Sequence, residues 1–537
     1  MELEKSDNFV QNSYILIVGY LISSIMSTIG TVIVIRLISV EEYSLINIAY
    51  ILPSILIPFG ELGLNYASTN FIAKKIKEND MQGVRNVINI NLIVKTIIGL
   101  IFTFSVAYFS VFIAKYIYNV SDERIHLLIQ ISSIAIFSNI LYNAFNACFL
   151  GAQKVRYVQI GTILLTSLRS ILSVSLILLG FTLLGPILGI VLSSLIVIIM
   201  YLIFLKISFK KGKREKGSIK WSEFKDMVNY GHPLLLFSII AGIQSQIFIL
   251  ILSIYGFSNE VSYYNVAIVS AAIVSILTKS LSFTLFPIFS KLSWENEEEK
   301  DVLVNYFQFS IKYGTFLIIP VTIFVILFSD KILPIIYGEI YKDASIFISI
   351  YFLIFLMTSF GLLSIPAFFN GQGQTKIVLY FEIIFLITGV IFALILISYI
   401  GSIGVTFGFV IGHLFAVLYG NIIIRKKYGK ELFGNIKNIM AIFLIAIISG
   451  ILIFFVYNTF ITQFPIQGYI INIFILLISF FIYFGLFLIL IGVFSLVSES
   501  EIDFLISGFE NFPILNKIVH ILAKIEKKII KMGVRRK

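Results

Sequence analysis

Long apolar runs separated by short polar segments make up most of the chain. Fourteen of them are about 20 residues or longer, the length a helix needs to cross the hydrocarbon core of a bilayer. They cover residues 13–37, 44–66, 88–113, 126–150, 158–180, 183–207, 233–256, 261–288, 306–329, 345–369, 376–398, 403–424, 438–460 and 467–495. The runs are continuous and rich in Leu, Ile and Phe, which favours helices over the short alternating strands of a β-barrel. The pattern predicts an all-α polytopic membrane protein with about 14 transmembrane helices.

Composition agrees with this fold class. Of the 537 residues, 58% are hydrophobic and 13% charged, with a mean hydropathy of +1.00. A soluble protein is nearer half apolar and a quarter charged. The single cysteine, Cys148, lies in an apolar run, which excludes a disulfide within the chain. Four widely spread histidines offer no metal cluster, so we expect no metal or other cofactor.

The basic residues lie mainly in every second loop. This set comprises Lys74, Lys75, Lys77, Arg85, Lys154, Arg156, Lys210, Lys211, Lys213, Arg214, Lys216, Lys220, Lys225, Arg425, Lys426, Lys427, Lys430 and Lys437. The alternate loops hold only Lys115, Arg124, Lys331 and Lys342. Because Lys and Arg are in excess on the cytoplasmic side, the asymmetry predicts a cell-membrane protein with both termini cytoplasmic. It also accounts for the net charge of +11 without nucleic acid.

One motif occurs twice. Residues 42–49 read Glu-Tyr-Ser-Leu-Ile-Asn-Ile-Ala, and residues 260–267 repeat Glu, Ser, Asn and Ala at identical spacing. Two further matches follow in the same order, Ile117-Tyr118 with Ile336-Tyr337 and Phe149-Leu-Gly151 with Phe369-Asn-Gly371. A period of about 220 residues is too long for a solenoid and indicates a duplicated half. Each half has six spans, so the predicted lobes are parallel and related by a pseudo-two-fold axis along the membrane normal, with two extra C-terminal helices.

This organisation predicts five parts. They are an N-terminal six-helix lobe (1–208), a basic cytoplasmic linker (209–227), a C-terminal six-helix lobe (228–425), helices 13 and 14 (426–497) and an amphipathic basic cytoplasmic tail (498–537). The tail fits two interpretations, a helix lying on the anionic inner leaflet or a partly disordered solubilising segment.

Several motifs resemble those of a known family. They are Arg36-Leu-Ile-Ser-Val-Glu-Glu-Tyr43, Phe59-Gly-Glu-Leu-Gly63-Leu-Asn-Tyr-Ala67, Gly231-His-Pro233, Val261 to Ala267, Leu333-Pro-Ile-Ile-Tyr-Gly338-Glu-Ile-Tyr341 and Gly371-Gln-Gly373-Gln-Thr-Lys376. In this order they resemble the polysaccharide flippases of the superfamily that also contains multidrug and toxin extruders and peptidoglycan-precursor flippases. The resemblance implies two six-helix lobes and transport without catalysis. The chain departs from many relatives in the seventh helix, where Gln244, Gln246 and Phe248 stand in place of an acidic residue.

Ionisable groups inside the hydrocarbon are costly and need an explanation, at roughly 2.5–3.5 kcal/mol near its centre. Arg169 lies in the middle of the fifth run and cannot lose its proton. It fits two interpretations, contact with an anionic substrate or a structural pair with Glu61 or a backbone carbonyl. Lys279 is equivalent to Glu61 in the repeat, which suggests either a gating salt bridge or simple snorkelling. Arg36, near the outer end of the first run, either lines the cavity or snorkels.

Other polar positions have simpler interpretations. For Lys95, Lys312 and Glu382, near the predicted inner ends, we favour snorkelling. For His413, in the twelfth run, we favour a hydrogen bond to a neighbouring helix over a proton relay. Asn139, Asn143 and Asn146 share one helical face, and like Gln244 and Gln246 they either contact sugar hydroxyls or bond neighbouring helices.

These observations favour a flippase that moves a lipid-linked, diphosphate-bearing oligosaccharide from the inner to the outer leaflet by alternating access. The site candidates are Arg169, Lys279, Arg36, Glu61, Gln244, Gln246 and Asn143. We expect a monomer that meets membrane lipids, its substrate and glycosyltransferases or a polymerase of the same pathway, with no nucleic acid. An ion-coupled multidrug exporter of the same fold is the alternative, but buried carboxylates are scarce. A polytopic glycan polymerase or ligase is less favoured, because the outer loops are too short for a catalytic site.

Overall fold

The computed structural model of the protein describes residues 2–208, 221–429, 432, 436–463 and 468–497, except for the side chains of residues 2–18 and of several positions between 221 and 287. Helices account for most of these residues, and no strand occurs among them. The α-helices are α1 Glu2–Leu37, α2 Val40–Glu61, α3 Leu64–Lys77, α4 Met81–Tyr108, α5 Ser110–Phe112, α6 Arg124–Gly151, α7 Val155–Leu178, α8 Leu184–Ser208, α9 Trp221–Ile254, α10 Ser258–Lys291, α11 Glu297–Tyr337, α12 Ser345–Leu356, α13 Ser364–Gly371, α14 Thr375–Ile400, α15 Ser402–Tyr428, α16 Ile436–Gln463 and α17 Tyr469–Val493.

The helices confirm the predicted fold class. Within the described residues, twelve helical segments are long and apolar enough to cross a membrane. Helices α9 and α10, with 34 residues each, cover the two remaining predicted runs, 233–256 and 261–288. The protein is therefore an all-α polytopic membrane protein.

The second predicted run forms two helices rather than one. Helix α2 begins with a capping box, in which Ser39 accepts from the backbone N–H of Glu42 and the Glu42 side chain accepts from the backbone N–H of Ser39. It ends at Glu61 because the next two residues are left-handed, Leu62 at φ 48° and Gly63 at φ 69°. Helix α3 then continues to Lys77.

The tenth predicted run is also interrupted. Helix α12 passes into a 3₁₀ turn, Met357–Phe360, and Gly361 follows with φ 92°. Glycine adopts this left-handed conformation without the steric cost of a Cβ. The chain resumes its helical course in α13.

By its contacts the chain divides into two compact units. The first comprises Met1–Ile276 and Glu382–Gly412. Within it α7 packs against α1 and α8, α6 against α2 and α4, and α2 against α9. Its buried apolar residues include one cluster around Leu64, Val87 and Met227 and another around Phe145, Phe149 and Tyr201.

The second unit comprises Leu277–Phe381 and His413–Lys537. Here α11 packs against α12, α16 and α17. The core between α11, α16 and α17 includes Ile319, Ile442, Ala446, Phe487 and Ile491. The predicted five-part division stays a prediction, and the tail with most of the basic linker lies outside the described residues.

Candidate transport site

A polar cavity lies inside the first unit, between α1, α2, α7 and α8. Its volume is about 100 Å³. We call it the Arg169 cavity, and its polar lining comprises Arg169 with Ser27, Thr31, Tyr43, Asn47, Tyr50, Ser170 and Ser173. None of the residues that line it carries a carboxylate. The cavity therefore combines one fixed positive charge with hydroxyl and amide groups.

Small residues allow the helices around this cavity to approach closely. A Cβ added to Gly30 of α1 would lie 2.0 Å from the Ser170 hydroxyl oxygen of α7, and one added to Gly189 of α8 would lie 2.1 Å from that of Ser173. The Ser170 hydroxyl donates to the carbonyl oxygen of Met26 at 3.2 Å, which bonds α7 to α1. Small residues and hydroxyl bonds are the usual means of packing helices within lipid.

Arg169 itself makes no hydrogen bond or ion pair with any side chain in the described part of the chain. Tyr50 lines the same cavity as Arg169. A guanidinium that always carries its charge gains most from an oxyanion placed against its planar donors. The arrangement can therefore hold a phosphate or carboxylate group.

Glu61 is hydrogen-bonded to a residue other than Arg169. Its Oε1 accepts a hydrogen bond from Asn143 Nδ2 at 2.8 Å. This contact joins the end of α2, just before the helix break, to α6. The pair of Arg169 with Glu61 therefore stays a prediction, and the contact that the structure gives Glu61 is the one with Asn143.

Lys95 is the functional candidate that the sequence reasoning undervalued. Snorkelling was expected, but its side chain is 0% exposed. The Nζ atom donates to Asn65 Oδ1, in the first turn of α3, and the charge of Glu61 acts on it as well. Asn65, just after the break at Leu62 and Gly63, accepts from this buried ammonium, whereas the Glu61 carboxylate before the break accepts from Asn143. In the sequence, the only indication of a role for Lys95 is that two hydrogen-bond acceptors, Glu61 and Asn65, lie close to a helix break.

The asparagine face of α6 bonds neighbouring structure. Asn139 donates to the carbonyl oxygen of Ala135 in its own helix at 2.8 Å. Asn146 accepts from the Tyr201 hydroxyl of α8 at 2.6 Å, and Asn143 bonds Glu61. Asn143 and Asn146 therefore bond neighbouring helices, whereas Asn139 bonds only its own helix, and the printed contact of Asn143 is with Glu61.

The seventh predicted span is hydrogen-bonded to a carboxylate on another helix. Gln244 Nε2 of α9 donates to Glu382 Oε2 of α14, both within the first unit. One helical turn further on, the ring of Phe248 is fully buried against Phe385 and Phe409. Glu382 is therefore bonded inside the protein rather than snorkelling.

Comparison with known proteins identifies the family. A family model described as "Polysaccharide biosynthesis protein" matches residues 33–346, more than half of the chain. The chain belongs to the polysaccharide biosynthesis protein family. A second model, described as "Lipid II flippase MurJ", matches residues 223–475.

Relatives of this polysaccharide biosynthesis protein cover nearly its whole length. It is 26% identical over 497 residues to the uncharacterized membrane protein MJ1068 of Methanocaldococcus jannaschii, covering 87% of this chain and 90% of that one. Among solved structures it is similar to an inward closed conformation of the lipid II flippase MurJ, with a TM-score of 0.68, 17% identity and coverage of 88% and 98%. It is also similar to an inward-facing multidrug resistance MATE family transporter of the MOP superfamily, with a TM-score of 0.63, 19% identity and coverage of 77% and 96%. At these identities the likeness shows a shared fold.

Three candidates of this polysaccharide biosynthesis protein lie apart from the Arg169 cavity. Arg36 is in the last turn of α1, exposed, and does not line the cavity. Gln246 is half-buried on α9. Lys279 is on α10, but its side chain lies outside the described residues, so the gating pair with Glu61 stays a prediction.

Proposed function

We propose that this polysaccharide biosynthesis protein is a flippase that moves a lipid-linked oligosaccharide from the inner to the outer leaflet. The headgroup of such a lipid carries a diphosphate and hydrated sugars. These groups cannot cross hydrocarbon unaided, because they would lose water without gaining other partners. A protein path lined by cations and hydroxyl groups supplies those partners while the lipid tail stays in the bilayer.

The observation that carries the proposal is Arg169, an arginine in a polar cavity whose lining residues carry no carboxylate, within the predicted transmembrane region. A volume of about 100 Å³ suits a single phosphate group rather than an oligosaccharide. We therefore assign Arg169 to the phosphate, with Asn47 and Tyr50 as neutral hydrogen-bonding neighbours. Charge-assisted bonds of this kind contribute about 1.5–3 kcal/mol each.

The remaining assignments follow from the charge pattern and the repeat. The protein lies in the cell membrane with both termini in the cytoplasm, as the basic loops predict. Its two duplicated halves alternate access to the substrate, and it works as a monomer. Its partners are membrane lipids and the glycosyltransferases or polymerase that build and use the glycan. No step needs a catalytic residue.

The test uses the purified full chain in vesicles that contain a diphosphate-linked oligosaccharide lipid with a fluorescent headgroup. A membrane-impermeant quencher then reports the fraction of label reaching the outer leaflet. We expect the chain to accelerate this transfer and Arg169→Gln to slow it about tenfold or more, as loss of one charge-assisted bond implies. The matched control is Lys206→Gln, an exposed cation in the last turn of the adjacent α8.

Two results would count against these statements separately. Transfer no faster than in protein-free vesicles would refute the flippase proposal. Full transfer by the Arg169→Gln variant would refute the phosphate assignment alone.

The bond between Gln244 and Glu382 favours one second candidate, an ion-coupled exporter of cationic compounds. Such a protein needs a buried carboxylate for its cargo or coupling ion, and Glu382 is the one that α14 supplies to α9. This candidate requires Glu382→Gln to abolish resistance to cationic drugs while surface glycan stays intact. The flippase proposal requires drug resistance to be independent of the protein.

A further inference from the structure

The second unit contains a large apolar groove that the transport proposal does not use. It lies between α11, the 3₁₀ turn at Met357–Phe360, α15 and α16, with a volume of about 410 Å³. We call it the α15 groove, because Leu414, Leu418, Ile422 and Arg425 follow one another along a single face of α15 inside it. Three of these four are apolar.

The interruption of the tenth predicted span creates this groove. The 3₁₀ turn that ends α12 lines the groove with Met357, Ser359 and Phe360, and the left-handed Gly361 follows it. Asn421 of α15 donates to the carbonyl oxygen of Phe360 at 2.9 Å, which satisfies a backbone group left free by the break. This bond joins the 3₁₀ turn to α15 within the lining of the groove.

The groove has the length of one bilayer leaflet. From Arg425 to Leu414 the helix axis advances about 16 Å at 1.5 Å per residue. Half of a hydrocarbon core of about 30 Å is close to the same length. The apolar side chains along it are open, with Ile422 62% exposed, Leu418 48% and Leu414 42%.

One end of the groove is basic and aromatic. Arg425 lines it, exposed Lys426 and Lys427 follow on α15, and exposed Lys437 stands near the start of α16. Trp294 packs edge-on against Tyr428 at the end of α15, and Lys300 lies over the Trp294 ring. Trp, Tyr, Lys and Arg together mark a membrane–water interface, and the positive-inside pattern predicts the cytoplasmic one.

We propose that the α15 groove binds an anionic glycerophospholipid of the inner leaflet. The phosphate lies against Arg425 at the interface, and an acyl chain follows Ile422, Leu418 and Leu414 toward the middle of the bilayer. Charge complementarity selects the anionic headgroup, because inner leaflets are negative and each nearby basic residue contributes about 1 kcal/mol. Because the groove is about as long as one leaflet, it fits the acyl chain of an ordinary membrane lipid better than the chain of a longer carrier lipid.

Native mass spectrometry of the purified full chain tests this site. Dioleoylphosphatidylglycerol and dioleoylphosphatidylcholine, which share their acyl chains, are added to the detergent-solubilised protein. We expect the first bound phosphatidylglycerol to be about fivefold tighter than phosphatidylcholine. Arg425→Gln should remove this preference, whereas Lys206→Gln, which alters an equally exposed cation outside the groove, should keep it.

A second pair of variants tests the acyl-chain contacts. Leu418→Trp and Ile422→Trp fill the groove without changing charge and should weaken binding of both lipids, provided that each variant keeps a wild-type unfolding temperature in lipid-free detergent. Equal lipid binding by wild type, Arg425→Gln and a stable groove-filling variant would overturn the proposal. Displacement of phosphatidylglycerol by a long-chain polyprenyl phosphate at lower concentration would also overturn it and assign the groove to a carrier lipid.

Discussion

Ser44 and Ser262 form a reciprocal pair of contacts between the two copies of the repeated motif. Ser44 of α2 donates to the carbonyl oxygen of Ser258, and Ser262 of α10 donates to the carbonyl oxygen of Val40 at 2.6 Å. Ser262 follows Ser44 by the same number of residues as Ser258 follows Val40. Equivalent donors therefore meet equivalent acceptors across a local pseudo-two-fold axis, as in a self-complementary contact.

This pair should stabilise the conformation in which the starts of α2 and α10 touch. Ser44 and Ser262 are fully buried, so replacing either removes a hydrogen bond to the carbonyl oxygen of a half-buried residue, Ser258 or Val40. Each Ser→Ala change should cost about 0.5–1.5 kcal/mol, and the double variant should lose about twice that. Thermal unfolding of the purified protein measures the loss.

Ser193→Ala is the matched control, because Ser193 is equally buried but donates only within its own helix, to Ile190. If Ser44→Ala and Ser262→Ala unfold at the temperature of this control, the reciprocal bonds contribute nothing to stability.

Lys95 provides a second prediction. Lys95→Met should lower the free energy of unfolding by about 1–3 kcal/mol, because it leaves Asn65 without its charged donor and the half-buried Glu61 without a positive neighbour. Adding Glu61→Gln should restore part of the loss, since the double variant carries no uncompensated charge. A double-mutant cycle on thermal unfolding checks both statements. Lys437→Met, at an exposed position, serves as control, and a Lys95→Met variant as stable as that control would contradict the prediction.

The hydrophobic pattern was sufficient for the number, type and approximate positions of the spans. It could not show the breaks after Glu61 and after Phe360, because the runs stay apolar through them and the breaks depend on left-handed Leu62, Gly63 and Gly361. Gly63 and Gly361 are glycines in apolar surroundings, a signal shared by many uninterrupted spans.

The site was less predictable because its partners come from other helices. Arg169 was found from its depth alone, yet its cavity depends on how α1, α2, α7 and α8 pack. Lys95 and Glu382 look like interfacial groups in the sequence, and only tertiary contacts bring Asn65 and Gln244 to them. A charged residue within an apolar run shows that burying it costs free energy, but the run does not show which residue of another helix is its partner.

Asp122 gives a prediction about pH, in the loop before α6. A hydrogen bond from the Arg124 side chain, 2.6 Å away, holds the pKa of the Asp122 carboxyl below its ordinary value of 3.8. Because the folded-state pKa is depressed, the contact stabilises the fold above the ordinary pKa and is lost as pH falls through the lower one. The unfolding temperatures of wild type and Arg124→Gln should therefore differ at pH 7 and converge below about pH 4. In an Asp122→Asn background, the effect of Arg124→Gln on the unfolding temperature should not depend on pH in this way. If the unfolding temperatures with and without Arg124→Gln still converged below about pH 4 in that background, the effect would belong to a group other than Asp122.

Gly63 gives the last prediction, because it combines a left-handed conformation with a backbone contact. A Cβ at Gly63 would lie 2.1 Å from the carbonyl oxygen of Gly231, so α9 would have to move. Gly256 has a similar φ of 79° but nothing within 4 Å of its would-be Cβ. Gly256→Ala should therefore cost only the conformational strain, about 1–2 kcal/mol, whereas Gly63→Ala should cost clearly more.

Gly231→Ala, whose Cβ would lie 2.5 Å from the Gly63 carbonyl oxygen, should destabilise without any strain from positive φ. Equal unfolding temperatures for Gly63→Ala and Gly256→Ala would mean that the segment between α2 and α3 does not touch α9 at Gly63 and Gly231.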